Sequence, residues 1–124
     1  MLPTLGQLEK SIKVLGELSK LNDDYALWYL GIIYSSEDAI LNYKKALDYF
    51  YLSAKKENKL AQNDIGDLYY YGEGVEQNFK EALKWYRLAA DQELAEAQNN
   101  IGNLYYYGDG VDQNFKEALK WYRL

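Results

Sequence analysis

The 124-residue chain contains no cysteine and no histidine. Without thiols there is no disulfide to constrain the unfolded chain and no thiolate nucleophile. Without imidazole there is no Ser-His-Asp relay and no zinc site of the usual Cys/His kind. The fold must therefore be held by packing alone. The missing cysteines say nothing about compartment, because no feature of the chain depends on redox state. Proline occurs once, at Pro3, ahead of the first helical pattern, so helices after it run without a ring clash or a lost N–H. Basic charge is also scarce: 14 Lys and Arg against 19 Asp and Glu give a net charge of −5. Residues 1–60 hold 8 basic and 8 acidic side chains, whereas residues 61–124 hold 6 and 11. An acidic surface repels phosphate backbones, which argues against a nucleic-acid partner. No apolar run reaches the length of a membrane span, and the first residues lack the basic and apolar regions of a signal peptide. No membrane partner is expected, and a cytoplasmic location is favoured.

What the chain does have is apolar and aromatic mass. Apolar residues make up 48% of it, with 14 tyrosines and three tryptophans. Such a composition excludes a disordered tail and demands that large rings be buried or displayed as contact surface.

The dominant signal is an internal repeat of about 36 residues. Residues 61–88 match residues 97–124 at 24 of 28 positions. The four exceptions are Asp64/Asn100, Asp67/Asn103, Glu73/Asp109 and Glu76/Asp112, all swaps between like-shaped polar side chains. A weaker copy lies upstream: Leu30-Gly31 and Tyr34 match Ile65-Gly66 and Tyr69, while Asn42-Tyr43-Lys44 and Ala46-Leu47 match Asn78-Phe79-Lys80 and Ala82-Leu83. Its internal loop is one residue shorter and lacks Gly-x-Gly-Val. Residues 5–21 read as a lone second helix, with Ile12 and Leu15 at the places of Leu47 and Phe50. The expected organisation is a single array, with an N-terminal capping helix over 1–24, repeats over 25–60 and 61–96, and an incomplete repeat over 97–124.

Each unit reads as helix A, loop, helix B. Ala61, Ile65 and Leu68-Tyr69 form an apolar stripe at helical spacing, and Phe79, Ala82, Leu83, Tyr86 and Ala89-Ala90 form another, opposite Lys80, Lys84, Arg87 and Asp91. Gly66, in mid-helix, costs ~1 kcal/mol against alanine, so it implies a close approach by a neighbouring helix. Gly72 is expected as a left-handed C′ residue, with Gly74 in the turn and Val75 plugging apolar surface beneath it. Asn78 with Glu81, Asn114 with Glu117, and Thr4 with Gln7 have capping-box spacing. Trp85, Tyr86, Trp121 and Tyr122 fall with the core between repeats. Since a short helix pair cannot bury its stripe alone, the expected fold is an all-α solenoid of three helix pairs behind an N-terminal helix.

The pattern Ala-Gln-x-x-Ile-Gly-x-x-Tyr-x-x-Gly-x-Gly-Val, then Asn-Phe-x-x-Ala-x-x-Trp-Tyr-x-x-Ala-Ala, resembles the Sel-one-like repeat family, a relative of the tetratricopeptide repeat with a longer loop. The resemblance implies a right-handed α-α superhelix and a non-enzymatic adaptor that binds a protein or peptide partner, often in bacteria. It departs at Glu57 and Glu93, where the family usually has glycine, so those helix ends need another cap. It also implies that helix A lines a concave groove. Carried over on the Gly66 and Tyr69 anchors, the groove residues are Trp28, Tyr29 and Ile32 in the first repeat. In the second they are Asn63, Asp64, Asp67 and Tyr70, and in the third Asn99, Asn100, Asn103 and Tyr106. Asparagine offers donor and acceptor to a peptide backbone, and tyrosine adds contact area at low entropic cost. The competing reading is a solvated polar face, with Trp28 and Tyr29 packed on the N-terminal helix. Because Asp64 and Asp67 are replaced by Asn100 and Asn103, the Asp64/Asp67 end is expected to prefer a basic ligand segment.

Other chemistry finds little support. Gly72-Glu73-Gly74 and Gly108-Asp109-Gly110 have no preceding strand and sit beside acids, unlike phosphate loops. Asp109 and Asp112 lack the ligand spacing of a calcium loop. The carboxylates occupy repeated loop positions, where they read as turn formers. No catalytic residue, cofactor or metal is expected. A second class of function is self-association, through Phe115, Ala118, Leu119, Tyr122 and Leu124 of the last helix, which no capping helix follows.

Overall fold

Five helix starts carry a short polar side chain where the backbone needs one, whereas the helix that begins after Leu94 has no side-chain cap. In the computed structural model, which describes residues 2–21, 23–37 and 41–124, Thr4 and Gln7 form a reciprocal capping box at the head of α1 (Leu5–Lys20). Asp23 accepts from the Tyr25 and Ala26 amides to open α2 (Asp24–Ser36). Asn42, Asn78 and Asn114 do the same for α3 (Tyr43–Ala54), α5 (Phe79–Ala90) and α7 (Phe115–Tyr122), each accepting from the amide three residues on. The remaining helices are α4 (Lys59–Tyr71) and α6 (Ala95–Tyr107). Among the described residues there are seven helices and no strand. None of them is long and apolar enough to cross a membrane.

The chain forms two compact units, Met1–Asn58 and Lys59–Leu124. In the first, α1 packs on α2 and α2 on α3, around Leu8, Leu27, Leu30, Ala46, Leu47 and Phe50. In the second, α4 packs on α5, α5 on α6 and α6 on α7, around Ile65, Leu68, Ala82, Tyr86, Ala89, Ile101 and Leu104. The A-to-B loops close by the same bond in every repeat. The Asn78 amide donates to the Tyr69 carbonyl and the Asn114 amide to Tyr105, both at 2.9 Å, and the Asn42 amide donates to Tyr34 at 2.8 Å. The partners are one residue nearer in sequence in the first unit, so its shorter loop keeps the closing bond.

The mid-helix glycines admit a ring. A Cβ on Gly66 would lie 2.5 Å from the Tyr86 ring, one on Gly31 would lie 2.4 Å from Phe50, and one on Gly102 would lie 2.4 Å from Tyr122. The close approach read from Gly66 is thus by the aromatic side chain of helix B. Helices A of the second unit end on left-handed Gly72 and Gly108, with the Glu73 and Asp109 amides bonded back to Leu68 and Leu104. The B helices end the same way without glycine: Glu57 (φ 62°) and Glu93 (φ 61°) are left-handed. The Glu93 amide donates to Ala90 and the Leu94 amide to Ala89, which is a Schellman cap built on glutamate.

Candidate functional site

On α4, Asp67, Tyr70 and Tyr71 share a face because they stand three and four residues apart, and on α6 Asn100, Asn103 and Tyr107 do the same. With Tyr86 from α5 these seven residues line a polar pocket of about 180 Å³. Tyr86 reaches it from the core side because Gly66 leaves room for its ring. Its hydroxyl donates to Asp67 Oδ1 at 2.6 Å. Burial pushes the Asp67 carboxyl up to about 6; the Tyr86 hydrogen bond opposes that rise, and Glu96 and Glu73 add to it. Burial, with Asp67 beside it, also pushes the Tyr86 phenol well above its ordinary value. At the rim, the Tyr70 hydroxyl donates to Asp109 Oδ2 at 2.8 Å, and burial and that bond raise the phenol to about 12. The Tyr70 and Tyr71 rings meet edge to face, 4.9 Å between centroids and 78° between planes.

A second layer of amides holds this face. Asn63 is only 1% exposed, and its Oδ1 accepts from Asn100 Nδ2 at 3.0 Å. Gln92 Nε2 donates to Gln62 Oε1 at 2.9 Å. Asn103 Oδ1 accepts from the Tyr122 hydroxyl at 2.6 Å. Among the described residues no buried side-chain nitrogen or oxygen lacks a partner, as a native interior requires.

Of the residues expected to line a groove, the structure brings Asp67, Tyr70, Asn100 and Asn103 into this pocket. Asn63 lies beneath it, buried, and acts on it only through Asn100. Asp64 is half-buried and Asn99 exposed on the same two helices. Tyr106 is 45% exposed and belongs to a different, apolar hollow of about 460 Å³ with Phe115, Ala118, Leu119 and Tyr122. In the first unit, the half-buried Trp28 tilts against Tyr29 at 4.7 Å. Tyr29 joins Ile33 of α2 and Val14 and Leu15 of α1 around an apolar hollow, and Ile32 is half-buried. Tyr71, Tyr86 and Tyr107 are pocket residues that the sequence reading did not place in the groove. The helical spacing held the signal for two of them, since Tyr71 and Tyr107 stand four residues after Asp67 and Asn103. The aromatics read as core divide: Tyr86 is 2% exposed, whereas Tyr122 is 39% exposed, because α6 packs beside Tyr86 and no described helix packs over Tyr122 in the same way. Among the described residues there is no group of three or more acids able to hold a metal ion.

No curated protein sequence matches the chain. Among solved structures it is similar to a Sel1 repeat protein from Oxalobacter formigenes, at 32% identity and TM-score 0.84 over 90% of this chain and 86% of that one. It is also similar to c5321, a protective antigen of uropathogenic Escherichia coli with an SLR fold, at 31% identity and TM-score 0.83; there it covers only 24% of the longer chain. Cysteine rich protein B of Helicobacter pylori shares the fold, at 21% identity and TM-score 0.72 over 97% of this chain and 87% of that one. Sel1 repeat proteins generally mediate protein–protein interaction and are typically non-catalytic. The Sel1 repeat model matches three consecutive segments, 24–58, 59–94 and 95–124, and with the repeat, the glycine–ring contacts and these structural likenesses it makes this chain a member of the Sel1 repeat family.

Proposed function

We propose that this chain is a protein-interaction module in which the α4/α6 face receives an extended segment of a partner protein. One observation carries the reading: the polar residues of two successive A helices converge on a single pocket ringed by tyrosines. A merely solvated helix face has no need to gather its polar groups. Tyr71 and Tyr107, 63% and 64% exposed, offer rigid contact area around the pocket mouth, and Asn99 and Asp64 extend the polar surface along the helices. Trp28, Tyr29 and Ile32 are candidates for contact within the first unit. A second reading, self-association, is favoured by the apolar hollow around Phe115 and Leu119.

Affinity capture with the parent chain and with Tyr71→Ser/Tyr107→Ser separates these readings. A partner held by the parent and lost by the folded variant supports the α4/α6 face. A partner held equally by both overturns it. Light scattering that finds dimers in the parent and monomers in Phe115→Ser/Leu119→Ser favours self-association instead.

A further inference from the structure

We propose that the pocket between α4 and α6 recognises a cation, the ammonium or guanidinium end of a lysine or arginine side chain carried by the partner segment. The inference rests on the function proposed above and names the chemistry of its central contact.

Asp67 is half-buried, and among the described residues none of the ion pairs Lys20–Glu17, Lys84–Glu81 and Lys120–Glu117 involves it. A carboxylate taken partly out of water without a cation is costly. The Tyr86 hydroxyl compensates one oxygen only. The groups nearest to Asp67 from the other elements do not help: Tyr86 on α5 is neutral, while Glu96 on α6 and Glu73 beyond the end of α4 are acidic and raise its pKa further. The bonding pattern therefore leaves Asp67 Oδ2 without a protein donor and, since no buried oxygen lacks a partner among the described residues, open to whatever enters the pocket. Beside it, Asn100 gives an amide hydrogen to Asn63 and keeps its Oδ1 as an acceptor. Acceptors on that side of the pocket suit a donor-only ligand, and lysine and arginine ends are donor-only.

The walls and the size agree. Tyr70, Tyr71 and Tyr107 bring three rings to the lining, and a cation over a tyrosine face gains ~0.5–2 kcal/mol, the more so when water is excluded. At about 180 Å³ the pocket is smaller than the roughly 300–1,000 Å³ of sites that enclose a whole small molecule. It fits the end of a side chain. Charge is also sorted by helix within this unit: α4 and α6 carry Asp64, Asp67 and Glu96 against Lys59, whereas α5 and α7 carry Lys80, Lys84, Arg87, Lys116 and Lys120 against Glu81 and Glu117. The field over the pocket thus favours an incoming positive group.

The test titrates Nα-acetyl-lysinamide, Nα-acetyl-argininamide and the neutral Nα-acetyl-norleucinamide into the whole chain, following the Asn100 and Asn103 side-chain amides by NMR. The two cationic probes are expected to give saturable shifts at about pH 7.5, above the raised Asp67 value, and the neutral probe none. The ratio of the two cationic affinities says which side chain the pocket prefers. Asp67→Asn, which keeps an acceptor for Tyr86 as Asn103 does for Tyr122, is expected to weaken both about tenfold or more. In the parent, binding is expected to fade as the pH drops through about 6. Equal shifts with the neutral probe, unchanged affinity in Asp67→Asn, or no saturation by about 50 mM would each overturn the inference, since a partly desolvated ion contact must exceed that threshold. Partner capture unaffected by Asp67→Asn but lost in Tyr71→Ser/Tyr107→Ser would defeat the cation pocket and leave the interaction face standing. Probe binding with no dependence of partner capture on either variant would do the reverse.

Discussion

Tyr86 and Tyr122 occupy equivalent places in two helix pairs whose sequences agree at 24 of 28 positions. Each donates a 2.6 Å hydrogen bond to the side chain 19 residues before it. Each lies against a helix glycine with no space for a methyl group. The loop bonds repeat as well, Gln77 to the Tyr70 carbonyl at 2.8 Å and Gln113 to Tyr106 at 2.9 Å. Yet one tyrosine is buried on a carboxylate and the other half-exposed on an amide. The local scaffold comes from the repeat, whereas the electrostatics of each copy come from one changed side chain and from what packs beside it. The largest expected difference between the copies follows from packing. Gly66→Ala forces a methyl group into the buried Tyr86 ring and is expected to cost about 1–3 kcal/mol, despite alanine's better helix propensity. Gly102→Ala meets an exposed ring that can swing away, and its cost is expected to stay below about 1 kcal/mol. Urea denaturation of both variants checks this, and equal losses would show that ring burial does not set the penalty.

The second difference is charge. The folded-state pKa of Asp67 is raised from 3.8 to about 6, so between those values the native chain binds more protons than the unfolded one. Its stability is therefore expected to fall as pH rises through that window, with the penalty fully present above about pH 6. Asp67→Asn makes the first pair electrostatically like the second. It is expected to be more stable than the parent at neutral pH by on the order of 1–2 kcal/mol, after allowance for solvent screening. The variant should also lose that slope in the acid window. Thermal melts of parent and variant across the window decide it, and parallel pH profiles would mean that Asp67 is not the group responsible.

A smaller contrast involves the tyrosine three residues further on. Tyr70 donates to Asp109 of the next loop, whereas among the described residues no such bond is present for Tyr106, which packs edge to face on Tyr107 and against Phe115. Tyr70→Phe is expected to cost about 0.5–1.5 kcal/mol and Tyr106→Phe close to nothing. If the two cost the same in urea, the Asp109 bond contributes no net stability.

The repeat arithmetic gave the helices, their order, the Thr4, Asn78 and Asn114 N-caps and the glycine ends of the A helices, because period, N-cap and glycine position are local properties of the chain, but not the left-handed Glu57 and Glu93 ends. It also gave the polar A-helix face, and with it four of the seven pocket residues. Tyr86 was legible as core from its stripe but not as a pocket residue, since its ring is buried against Gly66 and its link to the pocket runs through the hydroxyl bonded to Asp67. Asn63 failed the opposite way. Its place on the A-helix face matches that of the exposed Asn99, and only the packing of α6 beside α4 and α5 distinguishes a buried linchpin from a surface amide. Burial depends on the neighbour, which a single repeat does not encode. The Glu81 partner of the Asn78 cap shows the same limit at small scale: its carboxylate accepts from Trp85 Nε1 at 3.3 Å, a choice set by where the indole lies.

The last contrast is between two kinds of helix end. Within the second unit the A helices stop on left-handed glycine, at Gly72 and Gly108, while α5 stops on left-handed Glu93. Both ends share one backbone bond, from the amide after the left-handed residue to the carbonyl five residues before it, Asp109 to Leu104 and Leu94 to Ala89, so that bond does not depend on glycine. What differs is conformational cost, because a side chain at φ near +60° crowds its own carbonyl by ~1 kcal/mol or more. Part of that is offset, since glycine loses more freedom on folding. Glu93→Gly is therefore expected to stabilise the chain modestly, by about 0.5–1 kcal/mol, seen as a small rise in Tm. The converse change, Gly108→Ala, meets Gln113 Cβ at 3.1 Å as well as the positive φ and is expected to destabilise by at least as much. A loss of stability in Glu93→Gly would mean that the glutamate side chain contributes more through its own interactions than its backbone strain costs, and the two kinds of helix end would then differ in design rather than only in residue.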